Sequence, residues 1–147
     1  VVFLADGKVG TAVFEKKGAS VKTSRAIVIE LKDHKMAPYP NTTGYPNAFP
    51  RPGNKKLLDN ARVVVWDYTW NPGVATPMHF HDKDVVVVYL ADGALTATAP
   101  DGGKTVNDYS FGFAKFTPGN RSHTELLSRG TQRAIIVELR YAAAISY

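Results

Sequence analysis

The sequence predicts an all-β fold in a single domain, a sandwich or barrel of short strands, on three observations. Runs rich in β-branched and aromatic residues recur along the chain, each bounded by Gly, Pro, Asn or Asp. No segment sustains a 3.6-residue apolar period over the roughly 11 positions that mark an amphipathic helix. Many short strands with turn residues between them are the pattern of sandwiches and barrels, where alternate side chains face a shared core.

In chain order, VVFLADGKVGTAVF (1–14) is apolar enough for strands, and SRAIVIEL (24–31) closes an N-terminal section of strands over 1–33. Residues 37–60 hold five of the nine prolines and read as a long loop. Its aromatics, Tyr39, Tyr45 and Phe49, are expected to pack outside the barrel, with pocket lining as the alternative. Over 61–140 the expected strands are ARVVVWDYTW (61–70), DVVVVYL (84–90), ALTATA (94–99), FAKFT (113–117) and QRAIIVEL (132–139). An internal echo accompanies them: VVFLADG at 1–7 matches VVYLADG at 87–93 in six of seven positions, and RAIVIEL at 25–31 matches RAIIVEL at 133–139 in five. Partial duplication and shared β propensity both account for it.

Composition narrows the partners. The formal charge of +5 is scattered, with only the doublets Lys16-Lys17 and Lys55-Lys56, so nucleic acid is not expected. No apolar run approaches the roughly 20 residues of a spanning helix, so no membrane crossing is expected. Zero cysteines exclude disulfides, thiolate metal sites and cysteine nucleophiles. A chain beginning at Val1 without an initiator Met is read as having lost a signal peptide or trimmed residues, which leaves a periplasmic or secreted location and a cytoplasmic one both open.

The chemistry concentrates in TPMHFHDKD (76–84). Strand side chains alternate, so His79 and His81 share a face and Phe80 turns away. Two imidazoles at one point suit a divalent transition metal, while an ordinary hydrogen-bonded pair is the structural alternative. A third histidine, His123, follows a Pro-Gly corner in FGFAKFTPGNRSHTELL (111–127), and a hairpin can bring it beside the pair. Met78 is turned away by parity, and His34 sits at a strand end, solvated.

These segments resemble the two motifs of the cupin superfamily. The first runs Gly, five residues, His-x-His, three or four residues, Glu, six residues, Gly; Gly73, His79, His81 and Gly93 fit it. The second runs Gly, five residues, Pro-x-Gly, two residues, His, three residues, Asn; Gly112, Pro118 and His123 fit, with Asn120 for the Gly and Leu127 for the Asn. The resemblance implies a jelly-roll β-barrel with one divalent transition metal per chain on His79, His81 and His123. Copper and iron are favoured, and zinc, manganese or nickel can take the same ligands.

One departure matters. The glutamate of the cupin site should stand at 85 or 86, and both are Val. Asp84 is next to them but on the wrong parity, joining only if the turn at 82–84 breaks the alternation. Of the ionisable groups near the motifs, Asp84, Tyr109, Lys115 and Glu125, none takes a convincing position for a general base. The expectation is therefore a glutamate-free three-His centre, similar to thiol and diketone dioxygenases and to small copper cupins acting on carbohydrates. That implies an oxidoreductase with a small-molecule or carbohydrate substrate. A lyase or isomerase, or a non-catalytic binding module, is the alternative. The aromatics Trp66, Tyr68 and Trp70 share one strand face and are read as core or dimer contact, or as a sugar pocket. A homodimer is expected, because small β proteins often cover an edge strand with a second chain.

Overall fold

The computed structural model describes residues 2–5, 8–11, 26–31 and 37–140. Its strands are β1 (Val2–Ala5), β2 (Lys8–Thr11), β3 (Ala26–Ile27), β4 (Lys55–Asp59), β5 (Val63–Trp70), β6 (His79–His81), β7 (Val85–Tyr89), β8 (Gly93–Thr98), β9 (Lys104–Tyr109), β10 (Ala114–Thr117), β11 (Arg121–Gly130) and β12 (Gln132–Leu139). No helix forms among the described residues, and none is therefore long and apolar enough to cross a membrane.

The chain divides into two compact units, Val1–Asp33 and His34–Tyr147. In the first, β1 pairs antiparallel with both β2 and β3. Of the run 24–31, Ala26 and Ile27 alone enter a ladder among the described residues. The echo extends to register. Val2 opposes Ile27 and Phe3 opposes Ala26, while their counterparts Val88 and Tyr89 oppose Ile135 and Ala134.

The second unit is a jelly roll of two antiparallel sheets, ordered β10-β7-β12-β5-β4 and β6-β11-β8-β9, whose facing sides enclose the core. The sheets pack as a sandwich and do not close into a hydrogen-bonded barrel. Strand β12 lies between β7 and β5, and Ala134 through Glu138 are all buried. A central strand covered on both faces explains why AIIV is continuous and does not alternate. Facing the other sheet are Val64, Trp66 and Trp70 of β5, Ala134 and Ile136 of β12, and Val85 and Tyr89 of β7, against Leu95 of β8 and Leu127 of β11. Two buried polar groups are matched: Trp66 Nε1 donates to Glu138 at 2.7 Å, and Gln132 Nε2 to the Ala91 carbonyl at 3.1 Å.

Residues 55–59, read from the sequence as the end of the Pro-rich loop, form edge strand β4 against β5. KKLLD carries no clean alternation, and its ladder shifts register between Lys56 and Leu58, so the period-two signal is erased by a bulge. Strands β9 and β11 were likewise illegible as runs, because KTVNDY and RSHTELLSRG are largely polar.

Gly93, the closing glycine of the first motif, starts β8 where the backbone of the next hairpin crosses it. A Cβ there would lie 2.5 Å from the Thr131 carbonyl oxygen and 2.9 Å from that of Arg129, neither able to move independently. Gly93→Ala should destabilise the protein by about 1–3 kcal/mol, read as a lower urea midpoint with unchanged slope. An unchanged midpoint would show that the hairpin yields without cost.

Candidate metal centre

Register places the three histidines. Strands β6 and β11 pair antiparallel with His79 opposite His123 and His81 opposite Arg121, so all four side chains lie on the inward face of one sheet. Ring centroids are 5.0 Å apart for His79–His81, 4.8 Å for His79–His123 and 5.1 Å for His81–His123. One nitrogen from each ring can be chosen so that all three lie within 4.8 Å of one another. Nε2 of His81 and Nε2 of His123 are 3.3 Å apart. With metal–nitrogen bonds of about 2.0–2.1 Å, two donors in tetrahedral geometry are separated by about 3.3–3.4 Å. The separation therefore fits a shared ion.

Protonation agrees. Burial pushes His81 well below the usual histidine value, with Arg121, His123 and His79 adding to it. Burial also lowers His79, and it brings His123 down to about 4 against the pull of Glu125. All three rings are thus neutral at pH 7, the form that ligates. His79 Nδ1 donates to the Pro77 carbonyl at 2.8 Å, which leaves the Nε2 lone pair facing inward, where Arg51 Nη1 lies 3.3 Å away. A backbone carbonyl fixing the tautomer in this way is the usual outer partner of a metal-binding histidine.

The corner before His123 is tied to the first motif. Asn120 donates its backbone N–H to the His81 carbonyl at 2.8 Å, and Gly119 donates to Asp84 Oδ1 at 2.7 Å. Asn120 has φ of 56°, a left-handed conformation that Asn tolerates better than other non-glycine residues, so it can stand where the motif has Gly. At Gly119 a Cβ would meet the Tyr39 ring at 2.7 Å and the Lys83 backbone at 2.9 Å. Asp84 therefore braces the corner, and the group of potential metal ligands among the described residues is His79, His81 and His123.

Val85 is 1% exposed and lines the cavity beside the histidines, as does Val87. Parity anticipated the outcome by a different route. β6 and β7 lie in opposite sheets, and the turn at 82–84 carries the chain across, so Val85 faces the histidines from the other side of the sandwich. Met78 is absent from the cavity wall, as parity requires. Trp66 and Trp70 are core residues, and Trp70 also lines the cavity. His34 falls outside the described residues.

Glu125, weighed from the sequence and set aside as badly placed for a base, stands at the site after all, while Arg51 and Arg121 were not considered. Glu125 follows His123 by two on β11 and shares its inward face; its Oε1 is 3.7 Å from His123 Nε2, and its Oε2 accepts from Trp70 Nε1 at 3.2 Å and Arg51 Nη2 at 3.4 Å. Burial opposes its ionisation, but His123, Arg51, His79 and the Trp70 hydrogen bond outweigh it and hold the carboxyl below its usual range. The parity that pairs His79 with His81 also puts Glu125 on the face of His123, and applying it would have reversed that dismissal. No comparable signal exists for Arg51, which comes from the Pro-rich loop. That loop is pinned along β6 by Tyr39 N–H to the Asp82 carbonyl, Ala48 N–H to that of Phe80, and Phe80 N–H to that of Pro46, at 2.7–2.8 Å. Phe49, expected outside, is carried inward to stack on Trp66 at 5.6 Å. The Arg51 guanidinium sits 4.0 Å over the Tyr68 ring.

His81 and His123 open into a cavity of about 150 Å³ that Arg51, Lys115, Arg121 and Glu125 also line. Three convergent imidazoles within metal-binding distance in a two-sheet jelly roll suggest a site for a metal ion. No protein-family model matches the chain. A cupin domain from Bordetella pertussis Tohama I superposes with a TM-score of 0.56 at 26% identity, over 63% of this chain and 99% of that one. The chain has the fold of a cupin domain. It is 40% identical over 60 residues to the β-alanine degradation protein BauB of Pseudomonas aeruginosa, a match over 41% of this chain and 59% of that protein's length. The polyketide cyclase RemF from Streptomyces resistomycificus aligns at 25% identity with a TM-score of 0.49, over 71% of this chain and 80% of that one.

Proposed function

We propose that this protein is a metal-dependent oxidoreductase acting on a small polar organic molecule. The observation that carries this reading is the cluster of three neutral imidazoles, two of which, His81 and His123, line a cavity. A redox-active ion held by such ligands supplies electron transfer at open coordination positions. The chain's own contribution is to hold His79 in one tautomer through Pro77, to shield the site with Phe49, Trp70 and Leu95, and to bound the substrate by size. A cavity of about 150 Å³ is of the order that accepts benzene, which favours small molecules over oligosaccharide chains.

Glu125 supports a second reading. It is an ionised carboxylate beside His123, and it is the base that a lyase or isomerase using the metal as Lewis acid would require.

Loading metal-free protein separately with iron(II), copper(II) and zinc(II) distinguishes the two. The assays are oxygen uptake and product analysis with thiols, diketones, phenols, short oligosaccharides and, given the likeness to a β-alanine degradation protein, β-alanine and its derivatives. Turnover with iron or copper and none with zinc is the expected result. Equal turnover with zinc, lost in Glu125→Gln, would overturn it in favour of the Lewis-acid reading.

A further inference from the structure

The charge around the cavity is unbalanced. Its lining includes the cationic residues Arg51, Lys115 and Arg121 and a single carboxylate, Glu125, which is committed to Arg51 and Trp70. Neither Arg121 nor Lys115 forms an ion pair among the described residues. Three neutral ligands would leave a bound divalent ion at its full charge, so occupancy deepens the imbalance. Burial disfavours the Arg121 charge, the field of Glu125 offsets this only in part, and an anion entering the cavity removes the remaining cost.

Hydrogen-bond bookkeeping points to the same place. The Arg121 guanidinium is held by Nε donating to the Pro118 carbonyl at 2.9 Å, while Nη1 lies 3.0 Å from His123 Nδ1 and 3.3 Å from its Nε2. As the ring stands, Nδ1 can accept from Arg121. If Nε2 is given to a metal, the neutral ring must carry its proton on Nδ1. Two donors then face each other, and both need an acceptor.

We propose that Arg121, assisted by Lys115, anchors the carboxylate of a short-chain substrate in the cavity beside the three histidines. The inference rests on the metal-centre reading and adds the substrate's charge and anchoring residue to it. A planar guanidinium matches a carboxylate's two oxygens, and the His123 Nδ1–H can share one of them. The cavity volume limits the acid to a few carbons.

The test uses zinc(II)-loaded protein, in which no redox turnover intervenes, and calorimetric titration at pH 7 with propionate, uncharged propionamide and methyl phosphate. Propionate should bind at least about tenfold more tightly than propionamide, and Arg121→Gln should weaken propionate by about tenfold or more, the worth of one charge-assisted hydrogen bond. Lys115→Gln should weaken it about two- to fivefold, as expected of an exposed charge. Propionate and propionamide binding alike would overturn the proposal, as would unchanged affinity in Arg121→Gln with its zinc intact, which would mean that the metal alone holds the anion. Tighter binding of methyl phosphate would overturn the carboxylate class. Should Arg121→Gln fail to fold, Arg121→Lys, which keeps the charge and loses the fork, must weaken propionate severalfold for the anchor to stand. Zinc content measured on each sample separates this outcome from failure of the metal reading. In a chain that takes up no zinc, propionate binding lost with Arg121 still upholds the anchor, and no binding removes it.

Discussion

Replacing His81 with alanine should leave the protein with less than about a tenth of the wild-type metal content when both are dialysed against the same limiting free metal. His81 is 6% exposed, and its Nε2 sits 3.3 Å from that of His123, so the variant loses one of three donors and gains no substitute. Partners one shell further out typically cost 10–100-fold in affinity when removed, and a direct donor costs at least as much. His79→Ala and His123→Ala should behave alike, because the β6–β11 register makes the two residues direct neighbours. Elemental analysis of the three variants checks this. Full metal retention in any two would contradict a three-His centre.

Acidification should destabilise the metal-free protein through the same residues. His79, His81 and His123 have folded-state values below that of an unfolded histidine, near 6.5, and His123 falls to about 4. Between those limits the unfolded chain binds protons that the folded chain refuses, so stability is full above pH 6.5 and falls as the pH drops toward 4. For His123 alone, whose side chain is 14% exposed, the span corresponds to roughly 3 kcal/mol. Glu125 adds to the loss in the same direction. Its lowered value contributes stability that is present above about pH 4.5 and disappears below it. Urea unfolding of chelator-treated protein at pH 7, 5.5 and 4 measures the slope, and His123→Gln should flatten it. A wild-type profile level from pH 7 to 4 would mean that the imidazoles are not desolvated as the structure has them.

The sequence by itself determined what depends on near neighbours. Alternation on one strand put His79 and His81 together, and the Pro-Gly corner before His123 marked a third histidine whose place beside them follows from antiparallel pairing. The apolar runs that became β5, β7 and β12 were legible as strands because they are rich in β-branched and aromatic residues. That Val stands at 85 and 86, where the motif has Glu, is read directly from the chain. Only the tertiary structure decided the charged half of the site. Arg51 reaches it because a loop with no period of its own is hydrogen-bonded along β6, and Glu125 is kept an anion there by His123 and by Arg51 and Trp70, which converge on it from more than 50 residues away in sequence. Alternation fixes which face a side chain takes. Which charges meet across the cavity is set by the packing of one sheet on the other, and short-range pattern carries no record of that.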